Sequence, residues 1–430
     1  VMKQLFQADI LLGDYSVLKG GYLGIDGDTI AYIGQEKPDG WQGAAVREMK
    51  GHLLMPGLYN MHTHSSMVLL RGLGSGLPLD RWLEEKIFPV EDKLTSEDIS
   101  VGTRLSMLEM IASGVVSFSD MYVEPRVAVD EIVRAGMKAN VNRPVMSFDM
   151  TEPYEKNFRV RESLAFYDDC HGLDDGRIRV DFGIHAEYTS HAEFDRKYGE
   201  DCKKRGAIMH LHLSETRKEH EECKARHGKT PAHWFADLGV LDNPTIAAHC
   251  VMVEPEDIEI LLERGVTAVH NPSSNMKLGS GFMPLPKMLE RGMNLALGTD
   301  GAASNNNLNM FEEMHLAAII HCGYTNDPAF LRPTQLINMA TLAGAKAQGR
   351  EKCGALAVGN KADIVALNMN KPHLMPALDI PSLLTYSAQA GDVTMTMVDG
   401  KILYDNGAYL TIDVEKVRFD LDKTVGRLFE

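Results

Sequence analysis

From Pro56 onward the chain alternates short apolar runs with longer segments of helical spacing, and it does so eight times. The runs are LYNMHTH (58–64), VVSFSDMY (115–122), MKANVNRPV (137–145), RIRVDFGIHAEY (177–188), AIMHLHLSE (207–215), TIAAHCVMV (245–253), VTAVHNP (266–272) and NLALGTDG (294–301). Strand followed by helix, repeated in series, makes neighbouring strands parallel and puts the helices over the sheet. Eight such units predict an α/β fold of the (β/α)8 TIM-barrel type. One connecting segment, EPEDIEILLERG (254–265), is acidic at its start and ends on Gly265, as a helix should.

The flanks read differently. Residues 1 to about 56 contain short alternating stretches such as GYLGIDGDTIAYIG, and after residue 350 the text returns to GALAVGNKADIVALN and VTMTMVDGKILYDNG, with hairpin-type DG and NG turns. The expected division is 1–56 and 351–430 paired into a small β-sandwich, with the barrel at 57–350.

Composition narrows the function classes. In 430 residues, 44% are hydrophobic and 24% charged, which is ordinary for a globular chain, and the formal net charge is −16. Such acidity speaks against nucleic acid or an anionic membrane as partner, since both select clustered Lys and Arg. No run approaches the roughly 18 apolar residues of a membrane helix. Six cysteines, at 170, 202, 223, 250, 322 and 353, form no CxxC pair. Reduced thiols and a cytoplasmic location are expected. The sequence leaves the oligomeric state open, a homo-oligomer included.

In a barrel, catalytic side chains gather at the C-terminal ends of the strands. His62 and His64, two apart and so on one side of a strand, end the first run. His185 lies near the end of the fourth, His212 and Glu215 end the fifth, His249 ends the sixth and Asp300 the eighth. Three imidazoles and a carboxylate with one open position suit a single catalytic Zn²⁺ or Fe²⁺. The fifth run offers both His210 and His212. His212, nearer the rim, is the expected ligand, and His210 an interior residue. No lysine ends the fourth run to bridge a second metal.

The combination PGLYNMHTH, HLHLSE, AAHC, HNPSSNMKLG and GTDGAAS resembles the amidohydrolase superfamily over essentially the whole chain, and its methylthioadenosine/S-adenosylhomocysteine deaminase branch in particular. The resemblance implies one divalent metal per chain, Zn²⁺ foremost, on His62, His64, His212 and Asp300. It implies Asp300, Glu215 and His249 as catalytic groups. Asp300 would take the proton of the attacking water, Glu215 would serve the ring nitrogen beside the attacked carbon, and His249 would orient the nucleophile.

Trp82 and Glu91, in the long excursion after the first strand, match positions that this branch uses at the ribose end of its pocket. Arg143 and His185 match two more, and Ser304 a further one. The implied reaction is hydrolytic deamination of an adenosine-type nucleoside, a small-molecule partner. Arg159 or Arg161 is the candidate cation for a homocysteine carboxylate. Three purely structural roles compete: Trp82 packing a lid helix, Glu91 pairing with Lys93, and Arg143 balancing carboxylates. Two other functions compete as well, namely deamination of a free base or triazine, and a non-catalytic scaffold.

Overall fold

The computed structural model describes residues 3–41 and 43–429, so Val1, Met2, Gln42 and Glu430, at or within the expected flanking segments, lie outside the described residues. The N-terminal segment supplies β1 (Lys3–Leu11), β2 (Val17–Asp26), β3 (Thr29–Gly34) and β4 (Val46–Pro56). Ten parallel segments follow: β5 (Leu58–Thr63), β6 (Val115–Met121), β7 (Lys138–Asn142), β8 (Pro144–Val145), β9 (Ile178–Val180), β10 (Phe182–Ile184), β11 (Met209–Leu213), β12 (Thr245–His249), β13 (Thr267–His270) and β14 (Asn294–Leu297). The chain ends with β15 (Ile364–Asn368), β16 (Val393–Val398), β17 (Lys401–Asp405), β18 (Ala408–Tyr409) and the helix Val414–Phe429.

All eight expected strands are present, the third and fourth each in two pieces. The order is β5-β6-β7-β9 in one parallel sheet and β8-β10-β11-β12-β13-β14 in the other. The break at Arg143 precedes Pro144, which has no N–H to give to a ladder. Across the matching break at Asp181, its amide donates to Val141 O (3.1 Å) while the next amide, Phe182, donates to Ile208 O (2.7 Å), so the pairing passes from one sheet to the other. β14 approaches β5 through other bonds: Thr299 N to Asn60 Oδ1 (2.9 Å), Asn60 Nδ2 to Thr299 Oγ1 (2.7 Å) and Asp300 N to His62 O (2.8 Å).

Side-chain alternation puts the core outside these strands. Met209, Leu211 and Leu213 of β11 pack into the main apolar cluster with helix residues such as Phe194, Phe235 and Tyr198, while His210 and His212 take the opposite face. The expected helix at 254–265 forms as Pro255–Glu263, with Asp257 accepting the Glu254 amide (2.8 Å) and Gly265 leaving at φ 64°.

The flanking segments do join, but not as a two-sheet sandwich. They form one eight-stranded sheet, β18-β17-β16-β15-β4-β1-β2-β3, in which the 11-residue β4 pairs parallel with β1 and antiparallel with β15. Successive residues of β4 divide its two faces. Leu54 joins Phe6, Ile25, Ile364 and Met397 in the sheet's own cluster, whereas Leu53 and Met55 join the main core. Hairpin signals specify antiparallel neighbours but not whether the strands make one layer or two. A buried Lys138 at the start of β7, bonded to Asp363 (2.5 and 2.6 Å) and Asp399 (2.7 Å), ties the parallel strands to this sheet. Among the described residues no helix is long and apolar enough to cross a membrane.

Candidate active site and metal centre

His62 in β5, His212 in β11 and His249 in β12 face inward at the C-terminal ends of their strands, and His64 and Asp300 follow just beyond β5 and β14. Their ligand atoms form two overlapping groups, His62–His64–Asp300 and His62–His212–His249, each within 4.8 Å. Asp300 Oδ1 lies 3.4 Å from His62 Nε2 and 3.2 Å from His64 Nε2, and His64 Nε2 lies 3.4 Å from His212 Nε2. Donors about 2.1 Å from a tetrahedral ion stand roughly 3.4 Å apart, so these spacings fit a divalent metal.

The hydrogen bonds behind the donors fit too. A carbonyl can only accept, so His64 donates from Nδ1 to Met121 O (2.6 Å) and His212 from Nδ1 to His185 O (2.6 Å), which turns each Nε2 toward the centre. His62 Nε2 is buried without a hydrogen-bond partner among the described residues. Its Nδ1 lies 3.0 Å from His210 Nε2, so His210 stands behind His62 and His212 takes the position facing His64.

The charges favour a cation here. Burial opposes charge on His64, yet the hydrogen bond and attraction of Asp300 raise it to about 9, and burial likewise opposes the Asp300 carboxylate, which His62 and His64 hold well below the ordinary range. Burial takes His62 down to about 4 and His212 well below its usual value. One imidazole thus takes up positive charge against the buried carboxylate, the charge that a bound ion would bring.

Glu215 and His249 complete the centre. Burial raises the Glu215 carboxyl, offset in part by His249, whose Nε2 lies 3.8 Å from Glu215 Oε2. His249 Nδ1 lies 2.9 Å from Asn275 Oδ1 and 3.4 Å from Asn271 Nδ2, and the shorter contact, to an oxygen that can only accept, favours the proton on Nδ1 with Nε2 facing the centre. Asp300 Oδ2 accepts from Ser274 Oγ (2.6 Å) and Ser304 Oγ (2.8 Å), and Oδ1 from the Gly301 amide (2.8 Å). Ser304 therefore anchors Asp300.

The expected pocket residues divide. His185 has its ring 5.0 Å from that of His212 and its buried Nδ1 unpartnered among the described residues, and burial lowers it to about 4. Glu91 does not pair with Lys93: its Oε1 accepts from Tyr122 O–H at 2.5 Å, on the His64 side of the site. Trp82 is 5% exposed, packs with Met67, Leu70, Ile87 and Tyr122, and donates its indole N–H to Leu73 O (2.9 Å). Arg143 is also buried and is engaged by Glu162 (2.8 Å) and Pro144 O (3.3 Å).

Tyr122, Ser274 and Asn275 were not among the expected site residues. The last two lie inside the HNPSSNMKLG motif, and Tyr122 ends the second apolar run, so position at a strand end was the available signal.

A family model described as the amidohydrolase family matches residues 53–403. A 5-methylthioadenosine/S-adenosylhomocysteine deaminase of Thermoanaerobacter pseudethanolicus is 43% identical over 410 residues, covering 94% of each chain. A 5'-deoxyadenosine deaminase of Methanosarcina acetivorans is 43% identical over 404 residues, covering 94% of this chain and 92% of its own. Among solved structures, a zinc-bound adenosine deaminase from Xanthomonas campestris superposes with a TM-score of 0.92 at 29% identity, over 99% of this chain and 98% of its own. On the span and strength of these matches, the chain belongs to the amidohydrolase family.

Proposed function

We propose that this protein is a metal-dependent aminohydrolase that converts adenosine-type nucleosides, 5'-methylthioadenosine and adenosine among them, to the inosine analogue and ammonia. The observation that carries the reading is the convergence of three Nε2 atoms and Asp300 Oδ1 at ligand spacing, with Glu215 and His249 beside them. The names of relatives at 43% identity support the substrate class. We read the two parallel sheets as one (β/α)8 barrel over 57–350, supported by the bonds between β5 and the Thr299–Asp300 segment, with 1–56 and 351–430 as the flanking sheet domain.

His62, His64, His212 and Asp300 would hold the ion, with zinc preferred on the donor set of three imidazoles and one carboxylate. A divalent ion bound there brings the pKa of water toward neutrality and so supplies a nucleophile at neutral pH. Asp300, fixed by Ser274 and Ser304, takes one proton from the attacking water and passes it to the departing amine. Glu215, whose carboxyl burial keeps protonated to higher pH, gives its proton to the ring nitrogen next to the attacked carbon and recovers one from the new hydroxyl. The two protons of water thus end on ammonia and on the ring nitrogen. His249 orients the nucleophile through Nε2 and stabilises charge as the tetrahedral centre forms.

Glu91 accepts the ribose hydroxyls, with Tyr122 holding its other lone pairs in place. Of the two candidate cations for S-adenosylhomocysteine, Arg159 has the better support: it is half-buried, its Nε has no hydrogen-bond partner among the described residues, its guanidinium lies over the Phe158 ring (4.6 Å), and Arg161 is exposed. The test is ammonia release across aminopurines and their nucleosides. Turnover of adenosine and 5'-methylthioadenosine with adenine poor supports the reading. Efficient turnover of guanine or a triazine with every adenine nucleoside inert overturns it.

A further inference from the structure

Glu215 faces the cluster although simple strand geometry would turn it away. Alternate side chains of β11 point to opposite faces: Leu211 and Leu213 lie in the outer core and His212 faces the histidines. Continued in register, Ser214 would share the face of His212, and Glu215 would point outward with Leu213. The chain instead breaks at Ser214, which has φ 48°, a left-handed conformation that L-residues keep only where the surroundings enforce it.

The enforcing contact comes from Glu219. Its buried carboxylate accepts the Ser214 amide at Oε1 (2.9 Å) and the Glu215 amide at Oε2 (2.7 Å). On the far side of the same residue, Ser214 O accepts from Met252 N (2.9 Å). Glu219 is the third residue of the helix Arg217–His227, and its own amide donates to the N-cap Thr216 Oγ1 (3.2 Å). A glutamate at this position ordinarily reaches back to the N-cap amide. Here the carboxylate also reaches past the N-cap Thr216 to the amides of the two residues before it.

We propose that Glu219 is the positioning residue for Glu215: by gripping both amides of the Ser214–Glu215 turn, it swings the Glu215 carboxyl out of strand register and into the site. Both of its oxygens are engaged by backbone, so it acts through Glu215 and not on substrate. The inference rests on the proton-transfer role given to Glu215 above.

Glu219→Gln puts an NH2 group against an amide donor and so loses one of the two grips. Expected is a fall in kcat of about 10- to 100-fold, the scale of an ångström-sized misplacement, with KM for adenosine within about twofold and bound metal unchanged. In a Glu215→Gln background the same change should cost nothing further, because nothing remains to be positioned. Two losses that multiply overturn the inference.

Thr216→Ala removes the hydroxyl half of the helix cap and spares the carboxylate, so it should lower Tm and keep kcat. An equal kcat loss in Thr216→Ala and Glu219→Gln would mean that the helix start matters and the grip does not. Should Glu219→Gln fail to fold, Glu219→Asp keeps the charge but falls a methylene short, and full kcat there overturns the role. Near-normal kcat in Glu215→Gln overturns the proton-transfer reading itself, whereas an inactive Glu215→Gln beside a fully active Glu219→Gln overturns the positioning role alone.

Discussion

Tyr122→Phe isolates one hydrogen bond, the one that Tyr122 gives to Glu91. The Tyr122 ring packs with Met67, Leu70, Trp82, Ile87, Ile99 and Ala303, and only its hydroxyl reaches Glu91. Phenylalanine keeps the apolar contacts and removes that bond. A hydrogen bond to a charged group contributes about 1.5–3 kcal/mol, and because Glu91 is only half-buried, water replaces part of it, leaving roughly 1–2 kcal/mol. The bond is made with or without substrate, so if Glu91 binds the ribose only the part that keeps the carboxylate in place falls on binding, and KM for adenosine rises by up to about 5- to 30-fold with kcat nearly unchanged. The pH dependence has a definite sign. Burial raises the Glu91 carboxyl and the Tyr122 bond lowers it, so without that bond the carboxyl rises further. The ionised form that accepts hydroxyls is then lost earlier on acidification, and the acid limb of 1/KM moves to higher pH. Steady-state kinetics of adenosine and 2',3'-dideoxyadenosine from about pH 5 to 8 test this, the second substrate having no hydroxyls for Glu91 to accept. An unchanged KM for adenosine, or an equal loss with both substrates, refutes the reasoning.

Glu215→Gln keeps shape and should keep metal, yet kcat should fall about a hundredfold or more, the scale of general acid–base catalysis; a near-normal rate measured by ammonia release would place the proton on another group. Removing metal with a chelator should abolish turnover and adding back zinc should restore it, while His62→Ala and Asp300→Ala should lose metal, by elemental analysis, along with activity. Full turnover by metal-free protein would end the hydrolytic mechanism. Glu313 is fully buried, and burial, opposed by bonds from Ser273 and Asn305, pushes its carboxyl up to about 8. The unfolded group titrates near ~4.3, so between there and about 8 folding takes up a proton and stability falls as pH rises. Glu313→Gln should flatten that decline in urea midpoints between about pH 5 and 8, and parallel curves for the two proteins would count against it.

The eight strand–helix units were legible because period-2 runs and capped helices are local signals, and the ends of the runs were not. LYNMHTH reaches His64 and RIRVDFGIHAEY reaches Tyr188 as text, yet β5 stops at Thr63 and β10 at Ile184, because the ladder gives way there to side-chain partners, after a last long contact from His185 N to Val145 O (3.4 Å) of β8. Ser65 N donates to Asp120 Oδ1 (2.7 Å), and Ala186 N to Thr189 Oγ1 (3.1 Å). The identities of the inward-facing histidines could be read directly. What Trp82, Arg143 and Ser304 touch could not, since Leu73 O, Glu162 and Asp300 are brought to them by tertiary packing. The choice between His210 and His212 depended on height along one strand, and the contact of His210 with the rear of His62 gives that height a physical meaning.

The positions where alternation misleads are the ones where the buried histidines and carboxylates converge. Ser214 (φ 48°), His249 (72°), Cys250 (48°) and Asp300 (61°) all take left-handed backbone at or just past a strand end. Such residues cost about 1–3 kcal/mol each and survive only where neighbours over-determine them. Here Glu219 holds the Ser214 turn, Cys250 N donates to Leu213 O (3.0 Å), and Asp300 N donates to His62 O (2.8 Å). The last bond depends on Gly298, where a Cβ would stand 2.8 Å from His62 N and 2.6 Å from Asn271 Oδ1, so only glycine lets the chain pass close enough for Asp300 to reach the histidines. A strand that stayed in register would present every second residue to the centre and no more. Breaking it at three ends turns Glu215, His249 and Asp300 toward one point, and because backbone hydrogen bonds hold the breaks, the groups are oriented before substrate arrives and need not reorganise during reaction.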